Sequence, residues 1–327
     1  MQSLSRNEWD PLKRVIVGDA SDAKIPSLDI SLRHINYANL LDTSQIPVGA
    51  YPDQVIEEAN IDLEILVLFL QSLGVEVLRP DIAFPNNYYH YCPRDGVLVY
   101  DDKIIICPQP LASRRTEYQA LVHAFQKYDT QYQKLELSGS DRLYNTNCIG
   151  NPDVLALTEH EPAFDAANIL RANDDLFYLV SNSGNLAGAR LLQNIVGDSK
   201  RVWPIQGIYS YMHIDSTIAL LREGLMLLNP ARIKSIDQLP KPLQSWDVIW
   251  CPEPVDIGYY PGYEMASQWI GMNLLSINPN LVVLEEHQIP LQKELTKYGI
   301  ESAMLPGRHQ RTLSGGFHCV TLDLERG

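Results

Sequence analysis

Hydrophobic residues recur at helical spacing in three parts of the chain, and a glycine and a short aliphatic segment follow each time. Apolar side chains three and four positions apart share one helical face, so each stripe predicts an amphipathic helix. The stripes are Val55, Ala59, Leu63, Leu66, Leu70 and Leu73; Ala187, Leu191, Leu192 and Ile195; and Leu291, Leu295 and Tyr298. Gly74, Gly197 and Gly299 are expected to end these helices. The strands expected after them cover residues 75–78, 201–203 and 300–305.

Two further pairs of aliphatic segments have the pattern of β-hairpins, with turns at Asp101-Asp102 and at Glu223-Gly224. The paired segments are residues 96–100 with 104–107, and residues 217–221 with 225–228. Repeated β/α units without a glycine-rich phosphate loop favour an α/β protein with a closed or circular arrangement. No linker rich in Pro, Gly or Ser interrupts the pattern, so we predict a single domain over residues 1–327.

Composition narrows the class of protein. The 327 residues are 45% hydrophobic and 20% charged, which is typical of a globular chain with a sizeable core. The formal net charge of −14 argues against nucleic acid or an anionic membrane as a partner, because both require clustered Lys and Arg. Residues 1–6 are polar and do not resemble a signal peptide. The apolar run 65–70 is far shorter than the ~20 residues of a membrane span.

The five cysteines are scattered and show no CxxC spacing, so neither a zinc site nor a disulfide framework is predicted. This usage favours a reducing, cytoplasmic environment. Cys319 follows two glycines and a histidine in the segment 314–319. The glycines permit unusual backbone angles or a close approach to a ligand. Cys319 is therefore a candidate nucleophile, although a buried structural cysteine fits the same pattern.

His213 and Asp215 lie two positions apart, and in a strand they would share one face. A neighbouring carboxylate raises the pKa of an imidazole and orients it, as general acid/base catalysis requires. A surface His–Asp pair is the alternative. Asp165 and Asp95 lie at predicted strand–loop junctions, where aspartate also serves in turns and caps. Carboxylates beyond those that a Cys–His pair needs imply a cationic substrate such as a guanidinium.

At these residues the sequence resembles the L-arginine amidinotransferases of the glycine amidinotransferase type, within the guanidino-group-modifying (pentein) superfamily. The resemblance extends from Asn7 to Asp323. The most specific segments are residues 7–18, 164–167, 212–215 and 315–319. The resemblance implies a five-bladed α/β propeller with pseudo-fivefold symmetry and a central site.

HExxH, Walker, GxGxxG and GxSxG motifs are absent from the sequence. The markers of a metalloprotease, an NTPase, a dinucleotide-binding protein and a serine hydrolase are therefore missing.

The resemblance also implies the roles of individual residues. Cys319 matches the nucleophile, His213 the acid/base, and Asp165 the carboxylate that holds both the guanidinium and the histidine. These residues would move the amidino group of L-arginine to an acceptor amine through an amidino-cysteine and release L-ornithine. Glycine is the first acceptor to consider, and lysine or a natural-product amine remains open. A guanidino-group hydrolase on the same fold, or a non-catalytic guanidinium-binding protein, is the alternative.

Further matches concern substrate binding. Asp95 and Asp215 match supporting carboxylates, Arg232 matches an arginine that binds a substrate carboxylate, and Ser267 and Met212 match residues that line the pocket. The family uses no cofactor or metal, and it implies small-molecule substrates and a homodimer. The sequence departs from the family pattern at Asn168, Asn173-Asp174, Glu325-Arg326 and the loop 206–211. These departures concern acceptor choice and subunit contacts.

Overall fold

The computed structural model describes residues 5–128, 130–209 and 211–327. Residues 1–4 of the polar N-terminal segment and Ser210 of the loop 206–211 therefore lie outside the described residues. The strands are β1 (Leu12–Val17), β2 (Lys24–Ile25), β3 (Gly49–Ala50), β4 (Glu76–Leu78), β5 (Val97–Tyr100), β6 (Lys103–Ile106), β7 (Tyr132–Lys134), β8 (Ile169–Ala172), β9 (Asp175–Leu179), β10 (Arg201–Ile205), β11 (Ile218–Arg222), β12 (Leu225–Leu228), β13 (Asp247–Trp250), β14 (Leu275–Asn278), β15 (Leu281–Glu285), β16 (Glu301–Leu305) and β17 (Thr321–Arg326).

The helices lie between these strands, and most are short. The α-helices are α1 (Ile30–Ile35), α2 (Asp53–Ser72), α3 (Val122–Lys127), α4 (Leu186–Val196), α5 (Ile289–Lys297) and α6 (Gln310–Leu313). The 3-10 helices are Thr43–Gln45, Ala112–Arg114, Glu117–Leu121, Asp141–Leu143, Thr146–Cys148, Ala166–Asn168, Ile236–Gln238, Lys241–Ser245 and Gln268–Met272. Within the described ranges, no helix is long and apolar enough to cross a membrane.

Five three-stranded sheets share one topology, in which an antiparallel pair is followed by a third strand parallel to the central one. The sheets are β17–β1–β4, β5–β6–β7, β8–β9–β10, β11–β12–β13 and β14–β15–β16. A parallel third strand requires a long crossover, and α2, α3, α4 and α5 each supply one. In the first sheet β17 comes from the other end of the chain and pairs with β1, with Val15 opposite Asp323. The architecture is a mixed α/β fold.

The predicted helices and hairpins are confirmed. The predicted apolar stripes lie on α2, α4 and α5, except that Leu73 and Tyr298 come one residue after α2 and α5. Gly74, Gly197 and Gly299 follow these helices with positive φ. Both predicted hairpins form, as β5–β6 and β11–β12. The apolar faces of these helices pack into the core because burying one aliphatic side chain contributes about 1.5–3 kcal/mol to the stability of the fold. On α2, Leu66 and Leu70 are fully buried in the same apolar cluster as Val15 of β1.

One local expectation is wrong. The segment 211–217 is not a strand, because β11 begins only at Ile218. His213 has a positive φ of 50°, which interrupts extended backbone. His213 and Asp215 consequently do not share a strand face, and their side chains have different partners.

Candidate active site

Two adjoining cavities contain all the site residues that the sequence predicts. The larger has a volume of about 260 Å³ and the smaller about 30 Å³, and both are lined by Met212 and His213. Cys319, Asp215, Arg232 and Ser267 also line the larger cavity. Asp95 and Asp165 line the smaller one. Residues distant in sequence thus meet at one place.

Cys319 lies between α6 and β17, is 2% exposed and lines the larger cavity. The thiol donates to Asp215 Oδ2 at 3.2 Å and accepts from Asn273 Nδ2 at 3.1 Å. The neighbouring Cys92 thiol, burial and the Asp215 carboxylate together raise the pKa of Cys319 well above its usual value. The free site therefore holds a neutral thiol, and a bound cation would favour the thiolate.

The two glycines before Cys319 allow close contact with other parts of the protein. Gly315 and Gly316 both lack a positive φ, which Ser314 has instead at 59°. A Cβ on Gly315 would lie 2.5 Å from Cys92 Sγ, and one on Gly316 would lie 2.6 Å from the Cβ of Asn273. Real Cβ atoms do not approach so closely. The glycines thus let the segment 315–319 pack directly against its neighbours.

His213 faces two carboxylates. Its Nε2 lies 3.1 Å from Asp165 Oδ2, and its Nδ1 lies 4.0 Å from Asp95 Oδ1. Burial disfavours the imidazolium, but the charge of Asp95 and the hydrogen bond and charge of Asp165 outweigh it. They raise the pKa of His213 to about 9. His213 is therefore a cation at neutral pH, as a general acid must be.

Asp215, which the sequence predicts beside His213, instead contacts His318 and Cys319. His318 Nδ1 lies 3.0 Å from Asp215 Oδ2, and His318 Nε2 lies 3.4 Å from Glu8 Oε2. Burial opposes the charge of Asp215, but the His318 hydrogen bond and charge outweigh it and lower its pKa to about 2. The negative charge of Asp215 also helps to raise the pKa of His213, although Asp215 makes no hydrogen bond to the His213 ring.

Arg114 is a site residue that the sequence did not reveal, since nothing in the pattern distinguishes it from Arg115. Its Nη1 donates to Asp95 Oδ2 at 2.6 Å and its Nε donates to Glu117 Oε2 at 2.8 Å. Burial raises the pKa of Glu117 to about 7, against the effect of Arg114. The other oxygen of Asp95, Oδ1, is buried and has no hydrogen-bond partner among the described residues. Asp95 can therefore accept an N–H group from a molecule in the cavity.

Arg232 supplies positive charge to the wall of the larger cavity. Its Nη1 donates to Ser216 O, Ser216 Oγ and Thr217 Oγ1, each at 2.8 Å. Its guanidinium lies 4.0 Å from the centre of the Tyr209 ring. No carboxylate of the described residues lies within ion-pair distance of it. Burial lowers the pKa of Arg232 from its usual value, because it disfavours the charged guanidinium. An anion bound beside the guanidinium would offset this cost of burial.

Two of the sequence departures have structural roles. Asn168 Nδ2 donates to Ser183 O at 3.0 Å, and its Oδ1 accepts from Ser181 Oγ at 2.8 Å. These contacts hold the 3-10 turn that follows Asp165. Asn173, with a φ of 60°, forms the turn between β8 and β9. The positive φ suits asparagine.

A group of potential metal ligands exists elsewhere. Glu285, Glu286 and His287 have ligand atoms within 4.8 Å of one another. None of the three lines either cavity, and acidic groups of this kind are common without an ion. The two cavities bring together a thiol, an imidazolium and carboxylates, the groups that covalent thiol catalysis on a cationic substrate would require.

Comparison with known proteins gives the family. No family model matches the chain. It is 42% identical to inosamine-phosphate amidinotransferase 1 of Streptomyces glaucescens, over 98% of this chain and 95% of the relative. It is 30% identical to the L-arginine:L-lysine amidinotransferase of Pseudomonas savastanoi pv. phaseolicola, over 98% and 94%. Identity to the mitochondrial glycine amidinotransferase of Danio rerio is 28%, over 98% and 82%.

Two solved structures share the fold of this chain. The inosamine-phosphate amidinotransferase of Streptomyces griseus superposes with a TM-score of 0.92 at 41% identity, covering 99% of this chain and 97% of that one. The DDAH of Pseudomonas aeruginosa, at 17% identity, shares the fold with a TM-score of 0.63 over 95% and 99%. The chain belongs to the amidinotransferase family. It is therefore a transferase enzyme with a pentein-type α/β fold.

Proposed function

We propose that this protein transfers the amidino group of L-arginine to an acceptor amine through a covalent adduct on Cys319 and releases L-ornithine. The observation that carries the proposal is the position of Cys319 and the cationic His213 in the wall of one cavity. Membership of the family supports the same reaction. In this proposal residues 1–327 act as one domain, and the five three-stranded sheets are the blades of a propeller around the site.

The donor guanidinium would lie against Asp95 and Asp165. A buried guanidinium requires carboxylate partners, and planar N–H groups match carboxylate oxygens. The unpartnered Oδ1 of Asp95 supports this placement. Arg232 would bind the carboxylate at the other end of arginine, because its own charge lacks a carboxylate partner among the described residues.

In the first half-reaction, the bound guanidinium favours loss of the Cys319 proton to solvent. The thiolate attacks the guanidino carbon, and a C–S bond forms. The His213 imidazolium protonates the departing nitrogen, the C–N bond breaks, and L-ornithine leaves. The products are an amidino-cysteine and a neutral imidazole.

In the second half-reaction, the acceptor amine attacks the same carbon. Neutral His213 takes the proton of the amine, the C–S bond breaks, and the thiolate of Cys319 is restored. One histidine thus serves first as an acid and then as a base. The order of events predicts ping-pong kinetics, because ornithine leaves before the acceptor reacts.

The acceptor would be an amine that also carries an anionic group. The names of the three relatives contain inosamine phosphate, lysine and glycine, and each of these molecules bears a phosphate or a carboxylate. After ornithine departs, Arg232 is free to bind that group. Glycine remains the acceptor expected from the sequence, and the 42% identity to the inosamine-phosphate enzyme adds aminocyclitol phosphates to the same test.

The test is mass spectrometry of the protein after incubation with arginine alone. We expect one amidino group on the Cys319 peptide and one equivalent of ornithine. Cys319→Ser should abolish both products. Cys251→Ser is the matched control, because Cys251 lines neither cavity and its thiol donates to Pro252 O at 3.3 Å, as a hydroxyl could.

The other outcomes distinguish the alternatives. Citrulline formed without an acceptor would identify a hydrolase. Bound arginine with an unmodified Cys319 would identify a binding protein. If the adduct forms, a panel of glycine, lysine and an inosamine phosphate then identifies the acceptor by the guanidino product.

A further inference from the structure

We propose that Asn273 is a catalytic residue whose side-chain amide stabilises the anionic sulfur of Cys319. The inference rests on the proposed role of Cys319 as nucleophile and adds a residue that neither the sequence motifs nor that proposal contains. Asn273 follows the 3-10 helix Gln268–Met272 and is 3% exposed. Its Nδ2 lies 3.1 Å from Cys319 Sγ, within reach of a hydrogen bond to sulfur.

The hydrogen-bond network fixes the orientation of this amide. Asn273 Oδ1 accepts from the backbone N–H of His318 at 3.0 Å and from that of Cys319 at 3.2 Å. A flipped amide would place its NH₂ group against these two donors and leave them unsatisfied. The carbonyl oxygen therefore faces the backbone, and the NH₂ group faces the sulfur.

The backbone around Cys319 also prevents the amide from moving away. Phe317 N donates to the main-chain oxygen of Asn273 at 3.0 Å. A Cβ at Gly316 would lie 2.7 Å from both oxygens of Asn273. The glycine thus permits the nucleophile segment to wrap around the asparagine, and the donor is in place before any substrate arrives.

An amide donor at this position favours the charged form of the sulfur. Hydrogen bonds to an anion are stronger than those to a neutral group, so Nδ2 stabilises the thiolate more than the thiol. The Asp215 carboxylate, 3.2 Å from the sulfur, has the opposite effect, since it accepts from the thiol and repels the thiolate. Asn273 supplies the donor without adding a charge that would repel a guanidinium. A fixed donor of this kind requires no reorganisation during reaction.

The test measures the thiol directly and does not depend on amidino transfer. The rate of alkylation of Cys319 by iodoacetamide is followed as a function of pH, and the Cys319 peptide is quantified by mass spectrometry. Asn273→Asp keeps the side-chain shape and the oxygen that accepts both backbone N–H groups, but it replaces the donor with an acceptor. Asn273→Ala removes both. The titratable groups that act on the sulfur are Cys92, Asp215 and Asp95; His213 lines the same cavity and His318 bonds to Asp215.

We expect Asn273→Asp to move the alkylation profile to higher pH and to slow alkylation at neutral pH by about 10- to 100-fold. Asn273→Ala should shift the profile in the same direction by a smaller amount, because it adds no negative charge. Asn145→Asp is the matched control. Asn145 Oδ1 accepts from Asn147 N at 3.1 Å, and Asn145 lines neither cavity. The alkylation profile of this variant should therefore match that of the wild type.

Folded Asn273→Asp and Asn273→Ala variants with unchanged alkylation profiles would overturn the proposal, whatever their transferase activity. Failure of both variants to fold would also count against it, because Asn273 would then act through structure. If the profiles shift while wild-type protein forms no amidino adduct with arginine, the proposed function fails and the role of Asn273 in thiolate stabilisation stands.

Discussion

His213 Nε2 and Asp165 Oδ2 lie 3.1 Å apart, although 48 residues separate them in the sequence. The backbone of the same loops is also connected. The N–H of the residue after Asp165 donates to the carbonyl of Asp95 at 2.8 Å, and the N–H of the residue after His213 donates to the Asp165 loop at 3.0 Å. The imidazole and its two carboxylates are thus held by main-chain contacts between three loops, which limits how far they can separate.

The charge of His213 makes the stability of the protein depend on pH. Its pKa is raised from 6.5 to about 9, so the folded state binds this proton more tightly than the unfolded state. The contribution is complete below about pH 6.5 and is lost as the pH rises through about 9. We expect His213→Asn, which tolerates the positive φ, to remove about 3 kcal/mol of this pH dependence. Urea denaturation at pH values on both sides of the window measures it, and parallel curves for the two proteins would contradict the prediction.

Arg114 is expected to stabilise the fold through Asp95 and Glu117. Arg114→Met leaves two buried carboxylates without their cation, which typically costs 3–5 kcal/mol in the free energy of unfolding. Glu117→Gln is the control, because Arg114 then retains Asp95 at 2.6 Å, and we expect a smaller loss. Chemical denaturation measures both variants. Equal losses would show that the Asp95 contact contributes nothing.

Arg232 is expected to recognise the carboxylate of the donor. Arg232→Ala should lower kcat/KM for arginine by an amount equivalent to about 2–5 kcal/mol, mainly through KM. Agmatine, which is arginine without its carboxylate, provides the matched control, since its kcat/KM should be nearly the same in both proteins. A comparable loss with both donors would assign Arg232 a structural role instead.

The contact between Gly315 and Cys92 can be tested by a double-mutant cycle. Gly315→Ala places a methyl group where Cys92 Sγ would be 2.5 Å away, and such overpacking costs about 1–3 kcal/mol. In a Cys92→Ala background the sulfur is absent, so the same glycine substitution should cost less. Thermal denaturation of the four proteins gives the coupling. Additive losses would mean that the strain lies elsewhere, for example at Tyr91.

Local elements of the fold could be predicted from the sequence, because their determinants are close together. In α2 the spacing of the apolar residues and Gly74 are sufficient to define the helix and its end. The positive φ of His213 could not be predicted in this way, since it depends on contacts with the distant Asp165 loop. The pairing of β17 with β1 could not be predicted from local patterns either, because the two strands are at opposite ends of the chain.

The candidate site, like the fold, could be predicted from the sequence only in part. The motifs identified eight of the residues that line the two cavities, but not which of them contact one another. Asp215 was expected beside the His213 ring and instead bonds to His318 and Cys319. Asn273 and Arg114 carried no signal, because single asparagine and arginine residues occur throughout the surfaces and turns of proteins. Their roles depend on tertiary contacts alone.

The pairing of β1 with β17 has a consequence for the kinetics of folding. Contacts between residues so far apart in sequence have a high entropic cost of loop closure and tend to form slowly. Cys319 lies two residues before β17, so its surroundings should be complete only after this sheet has formed. The accessibility of the Cys319 thiol during refolding should therefore report when β17 pairs with β1, and not when the helices form.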